Sequence, residues 1–317
     1  MKNISGIMVS LIAPMENHIA NGGEKLLGNA SSIKRRPDER VYISGQMQRH
    51  ALFSAIERIN YRDSNRASTY VSNGDGIDNR IELNLRADLG GFLHPKTGNY
   101  SGRRTSPLSV TPAVALNESE IGKDLLLKLK SMDSVHSLAT KEFSQMDLMV
   151  MNFSLDITAL SISKKYEYED KGFHLNTEYV KHVNEEERKR RTKLFIEATK
   201  TITDYANQAR NAISGEPQQV IIVFDSILSR KIARYFTSSE IERNNILNEL
   251  DARNAIYFIG NDLIESNAKI RSVENAYKAA LDLLANEETT LFDPCDSGCK
   301  IQTFAEAFKL EDKEIQD

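Results

Sequence analysis

The order of elements in this sequence predicts a mixed α+β fold on a ferredoxin-like βαββαβ path, the path that RNA-recognition modules also use. Three observations predict it. A short apolar run at 4–13 leads into a helical pattern at 44–60. A cleanly alternating segment at 151–159 leads into a second, longer helical pattern, and an apolar run at 220–224 closes the path.

The first run carries Ile7, Val9, Leu11 and Ile12 and reads as a buried strand. A loop follows, with Asn21-Gly22-Gly23 and Gly28-Asn29 where positive φ is easily reached. A short strand is expected at 40–43. Ser44 reads as the N-cap of a helix to Asn60, with Met47, Ala51, Leu52, Ala55, Ile56 and Ile59 as its core stripe. Gln46, Arg49 and His50 share a different face of that helix. From 61 to 104 apolar residues thin out and six glycines occur between Gly74 and Gly102, which reads as a protruding insertion with short hairpins at 68–71 and 80–85. A strand interrupted by Pro107 and Pro112 is expected at 106–116, and a short helix at 121–130. In the segment 151–159, Met151, Phe153, Leu155, Ile157 and Ala159 alternate with Asn152, Ser154, Asp156 and Thr158. Asn184 and Glu187 cap a helix expected to reach Ile213, ended by Gly215 and Pro217. A further strand at 255–259 and helices at 239–252 and 273–285 follow; after Asn286 the chain is acidic and polar, and its end is expected to be loosely attached.

Composition narrows the classes of function. At 317 residues, 40% hydrophobic and 27% charged, the chain has the balance of a soluble globular protein, and no apolar run reaches the roughly 18–20 residues of a spanning helix. Residues 1–14 read as a strand, not a signal peptide. The two cysteines, Cys295 and Cys299, do not staple a fold of this size, so a cytoplasmic setting is expected. The net charge is −4, but it is unevenly spread. Residues 1–113 hold 15 Lys/Arg against 10 Asp/Glu, leaving 26 against 35 of the totals of 41 and 45 for the remainder. That is the trace a one-sided basic face leaves.

Catalytic signatures are missing. The sequence contains no GxSxG, HExxH, Walker-type loop or GxGxxG, and its six histidines stand singly. Cys295 and Cys299 have no nearby His, so no zinc, other metal or cofactor is expected and no catalytic residue is assigned. Asp75 and Asp78 read as part of a turn. The rival reading is a metal-dependent nuclease acting through Asp75, Asp78 or Asp156.

A binding constellation is more informative. Lys34, Arg35 and Arg36 precede Ser44-Gly45-Gln46-Met47-Gln48-Arg49-His50, where a helix N-terminus offers free amides and partial positive charge to a phosphate. Gly45 admits close backbone approach, and Gln46 and Arg49 are donors for phosphate or sugar oxygens. Arg103, Arg104 and Thr105 form a second candidate, placed to close over the same ligand. The run Arg188-Lys189-Arg190-Arg191 follows Glu185-Glu186-Glu187 on one helix and reads as internally paired and solvated.

These residues in this order resemble a known family. The loop 21–24, Lys34-Arg35-Arg36-Pro37, the helix opening 43–51 and Arg104-Thr105-Ser106-Pro107-Leu108 are similar to the DevR-type backbone subunits of CRISPR Cascade complexes. The resemblance implies a hand-shaped molecule. Its RRM-like palm would be discontinuous, at 1–60 and 103–260, with fingers at 61–102 and a C-terminal helical extension and tail at 261–317. It implies a non-catalytic subunit that polymerises head to tail along the CRISPR RNA beside other Cascade subunits, leaving the bases free to pair with target DNA, with no membrane contact. It also implies RNA-backbone contacts by Lys34, Arg35, Arg36, Gly45, Gln46, Gln48, Arg49, His50, Arg103, Arg104 and Thr105.

Overall fold

A strand that is apolar at almost every position, instead of at every second one, is covered on both faces, and the first long strand of this chain is of that kind. The computed structural model describes residues 3–26, 30–72, 78–93, 103–128, 137–169, 172, 174–267, 269–295 and 299–310. The chain begins with β1 (Gly6–His18), then β2 (Glu24–Lys25), β3 (Ser31–Ser32), β4 (Tyr42–Ile43) and α1 (Gly45–Arg62). Next come α2 (Leu85–Gly90), β5 (Phe92–Leu93), β6 (Arg103–Arg104), β7 (Leu108–Val110), β8 (Ala113–Ala115), β9 (Ile121–Lys128) and β10 (Ser137–Asp156). The hairpin β11 (Ile162–Tyr168) and β12 (His174–Lys181) precedes α3 (Glu185–Lys200) and β13 (Gln219–Asp225). A 3-10 turn at Lys231–Arg234, α4 (Glu240–Ala252), β14 (Ile256–Asn261), β15 (Ile270–Arg271), α5 (Val273–Ala285) and α6 (Phe304–Phe308) complete it.

The fold is mixed α+β around one large sheet. β1 lies between β10 and β13 and is antiparallel to both, with Val9 opposite Phe153 and Ile222. On its other edge β10 takes β7, β8 and β9 in succession, all antiparallel, and β14 extends the sheet beyond β13. α1 occupies the connection from β1 to the β7–β8 edge, and α3 the connection from β10 to β13.

Strand periodicity divides the core in two. Ile7, Val9, Leu11, Ala13 and Met15 join Phe153, Leu155 and Ile222 in the main core beneath α1, α3 and α5. Met8, with Ile221 and Val223, faces the other way into a second core closed by Ile232, Ile246 and Leu250. Asp147 of β10 ties the sheet to the segment that leads into α1. It lies 2.7 Å from His18 Nε2 and accepts from Ser119 Oγ at 2.5 Å, and Ser119 Oγ accepts from Val41 N–H.

Four expectations are corrected. The segment at 121–130 is strand, not helix: β9 pairs with β10 from Ile121↔Ser144, and the Phe143 ring covers Gly122 so closely that a Cβ there would collide with it. The helix expected to reach Ile213 stops at Lys200, while Ile202 and Tyr205 still fill the core from an irregular segment and so extend the apolar periodicity past its end. Within the expected insertion, Ile81, Leu85 and Leu89 are fully buried, so this part packs into the body; Tyr70 and Asn84 meet in an isolated bridge and not in hairpins. Residues 73–77 and 94–102, including Asp75, lie outside the described residues. The stretch after Asn286 packs through Leu291, Phe304 and Ala307; the end expected to be loosely attached, 311–317, lies outside the described residues.

Candidate nucleic-acid interface

Ser44 caps α1 as its sequence position requires: its side chain accepts from Met47 N–H at 3.2 Å. The first turn contains no acidic residue, so the amides of Gly45 and Gln46 face outward without a local counter-charge. They open on a cavity of about 690 Å³ lined by Lys34, Gly45, Gln46, Arg49 and His50, with Asn21 and Arg86 beside them. Among the described residues no carboxylate lines this groove, and none pairs with Lys34.

The groove is held rigidly. The Asn21 side chain donates to the carbonyls of Lys34 at 3.0 Å and Tyr42 at 2.9 Å, fastening the glycine loop to the segment that carries the cations. Gly23 in that loop has φ +66°, and a Cβ would strike the Ser32 carbonyl at 2.8 Å. Arg49 donates to the Gly90 carbonyl and lies 5.6 Å from the Phe53 ring centre, while Arg86 lies 5.5 Å from the same ring. Burial, and then the neighbouring Arg86 charge, push the Arg49 pKa below the ordinary guanidinium value. Two cations are thus set against one aromatic ring.

Gly45 has no internal reason to be glycine. A Cβ there would meet Val110 O at 3.4 Å and Pro112 N at 3.6 Å, ordinary contact distances.

The structure therefore brings together Lys34, Gly45, Gln46, Arg49 and His50. The other candidates fall elsewhere. Arg35 is engaged by Glu39 at 2.6 Å, and Arg36 lies 3.8 Å from Asp38. Gln48 is a correction to the expected set of RNA contacts, because it is fully buried on the inward face of α1 and its Oε1 accepts from the Tyr205 hydroxyl at 3.2 Å. Arg104 is another. Its guanidinium is buried, pairs with Asp88 at 2.5 Å and donates to the carbonyls of Ile162 and Ala159. Thr105 is exposed and lines a different groove. The side chain of Arg103 lies outside the described residues.

Arg104 belongs to a buried charge centre that sequence reasoning missed. Asp88, fully buried, accepts from Arg104, from Arg191 at 2.7 Å and from the Ser161 amide and hydroxyl. Arg191 also meets Glu187 at 2.7 Å, and Arg188 donates to the carbonyls of Ile157 and Phe292. The basic run on α3 is paired with Glu185 and Glu187 of its own helix, as expected, but Arg188 and Arg191 are buried and not solvated. Asp78 is occupied by Arg80, Asn84 and Tyr70, and no group of three or more potential metal ligands occurs among the described residues.

The body is mixed α+β and presents a cationic groove at a helix N-terminus, lined by no carboxylate among the described residues. Residues 15–214 match the family described as CRISPR-associated negative auto-regulator DevR/Csa2, and the chain belongs to that family. Among solved structures, a chain of a "CRISPR RNA-guided surveillance complex" superposes with a TM-score of 0.55 at 14% identity, covering 88% of this chain and 99% of that one. A chain of a "CRISPR RNA-guided surveillance complex, pre-nicking" gives 0.56 at 13%, covering 88% and 100%. None of the curated proteins matches. No helix among the described residues is long and apolar enough to cross a membrane.

Proposed function

We propose that the groove at the start of α1 holds the sugar-phosphate backbone of a CRISPR RNA, and that the chain is a non-catalytic backbone subunit of a Cascade-type surveillance complex. The observation that carries this reading is the groove: three cationic side chains and two free helix amides converge where, among the described residues, no carboxylate competes. Membership of the family and the likeness to chains of RNA-guided complexes support it.

In this reading Gly45 and Gln46 present amides to one phosphate, and Lys34, Arg49 and Arg86 neutralise it and its neighbours. These contacts go to the backbone and carry no sequence information. Base pairing with target DNA then supplies specificity, and further copies line up head to tail along the same RNA, which requires different surfaces on the two sides of each subunit. The palm is the sheet with α1 and α3, and the fingers are drawn from the parts of residues 61–102 outside the stretch packed by Ile81, Leu85 and Leu89. The working compartment is the cytoplasm.

The test is co-expression with the neighbouring genes and a CRISPR array. The purified particle should carry RNA of uniform length. Arg49→Ala with Lys34→Ala should weaken retention, and the slope of log affinity against log salt should fall by about 0.7 for each phosphate that is no longer neutralised. An RNA-free particle, or a double variant with unchanged affinity and slope, would overturn the reading.

A further inference from the structure

We propose that Cys295 and Cys299 are a modification site: a dithiol that a small disulfide oxidant, such as oxidised glutathione, closes into an intrachain disulfide fastening the anchor of α6. The site is separate from the α1 groove and does not depend on what that groove binds.

The chain between α5 and α6 is held at two points by one residue of the β11–β12 hairpin. Asp293 pairs with the Lys181 ammonium. Further along, Ile301 forms a parallel bridge to Lys181, and Gln302 N–H donates to the Lys181 carbonyl at 3.0 Å. A segment that leaves Lys181 at Asp293 therefore returns to it at Ile301. Each cysteine stands two residues inside one of these anchors. Cys295 N–H donates to Asp293 Oδ1 at 3.0 Å, an Asx turn that bends the chain at once. Cys299 lies beside Tyr179, as the parallel register requires, and its thiol donates to the Tyr179 carbonyl at 3.8 Å. The side chains of the two cysteines share a hydrogen bond. They are the only thiols of the chain, so neither has another intrachain partner.

The environment decides which thiol reacts first. Cys299 is exposed and Cys295 half-buried. Burial, and then the Asp293 charge, push the Cys295 thiol up to about 12, so Cys299 is the entering nucleophile. Its thiolate attacks one sulfur of oxidised glutathione. The glutathione S–S bond breaks, and the first glutathione thiolate leaves and takes up a proton. The Cys295 thiolate then attacks the Cys299 sulfur of the mixed disulfide and expels the second glutathione thiolate, which is protonated in turn. Two cysteine thiols are oxidised and one oxidised glutathione is reduced to two thiols.

The ring acts on α6 through the two anchors. In the dithiol they open independently, and loss of the Ile301 bridge alone frees the approach to Thr303, where α6 begins. The disulfide couples them, so that Ile301 stays near Lys181 for as long as Asp293 does. Such a bond staples one corner and not the fold, and a reversible disulfide of this kind suits a reducing compartment in which oxidation is a passing event.

The experiment uses the full chain, incubated with oxidised glutathione and followed by thiol titration, intact mass and non-reducing electrophoresis. Wild type should lose both titratable thiols as a monomer without retained glutathione, and dithiothreitol should restore them. Cys295→Ser should stop at a glutathione adduct on Cys299, and Cys299→Ser should react at least roughly 10-fold more slowly than Cys295→Ser. Oxidation should slow amide hydrogen exchange in α6 by roughly 10-fold in wild type and leave it unchanged when both cysteines are serine. Two thiols that persist in wild type, or a disulfide that joins two chains, overturns the proposal. An intrachain disulfide that leaves α6 exchange unaltered overturns the fastening.

Discussion

Asp88→Asn is the perturbation that the interior makes most costly. Every contact to this carboxylate comes from a donor: Arg104 at 2.5 Å, Arg191 at 2.7 Å, and the Ser161 amide and hydroxyl at 2.8 and 2.6 Å. An asparagine in the same place must turn an NH₂ group toward at least one of those donors, and it leaves Arg104 and Arg191 sharing one buried volume without their common anion. Breaking a buried pair in this way costs about 3–5 kcal/mol, because the desolvated charge left behind has nowhere to go. Chemical unfolding of wild type and variant in urea at pH 7 measures it as a shift of midpoint at constant slope. Burial alone would raise the Asp88 pKa, but Arg104 and Arg191 together outweigh it and hold the carboxyl below the ordinary range. The stability it contributes is therefore complete above about pH 4 and is lost only as pH falls through that lowered value. A midpoint shift worth less than about 1 kcal/mol at pH 7 would refute the assignment of this centre as the internal clamp.

Three further outcomes are expected. Burial, reinforced by the Arg104 charge, lowers the His182 pKa from 6.5 to about 4, so the ring is neutral in the fold; stability is intact above pH 6.5 and declines by up to about 3 kcal/mol toward pH 4. Thermal unfolding across that window should show the decline, and His182→Gln should flatten it. Gly45→Ala should leave the melting temperature within a few degrees of wild type, since a Cβ fits internally, yet weaken RNA retention in a filter-binding assay; normal retention would show that the groove does not need the space. Gln48→Met should leave retention unchanged and cost about 1–2 kcal/mol by stranding the Tyr205 hydroxyl. Adding Tyr205→Phe should recover most of that loss in a double-mutant cycle.

What was legible in the sequence was local. Capping, turn chemistry and helical period act over a few residues, so Ser44, the α1 stripe, β13 and β14, α4 and α5 could be read directly. The cluster Lys34, Gly45, Gln46, Arg49 and His50 was found because four of its members share one cap. Arg86 was missed because it reaches the groove only through the fold, and a lone arginine in a glycine-rich stretch carries no signal. The α3 run paired with its own glutamates as expected, but its burial was missed for a similar reason. Glu185–Glu187 followed by Arg188–Arg191 is the pattern of a solvated helix face, and only the distant Asp88 and the carbonyls of Ile157 and Phe292 make it internal. β9 was lost because strand formation there depends on β10 and on Phe143 covering Gly122. Gln48 points inward although its neighbours on either side are half-exposed, which a contiguous list of residues from one helical turn ignores.

The buried centre and the groove are one construction. Asp88 fixes α2 against α3 and against the turn at Ser161. α2 in turn supplies Arg86 and the Gly90 carbonyl that holds Arg49. Gly90 allows that approach because a Cβ there would meet the Arg49 guanidinium at 2.6 Å. Two arginines are thereby kept at one aromatic ring in spite of their repulsion. An anion that enters between them removes the repulsion and finds the donors already oriented, so little conformational entropy is lost on binding. The proposed function would use that arrangement: affinity for an RNA backbone would come from charge fixed in advance by the interior, leaving the bases free for pairing.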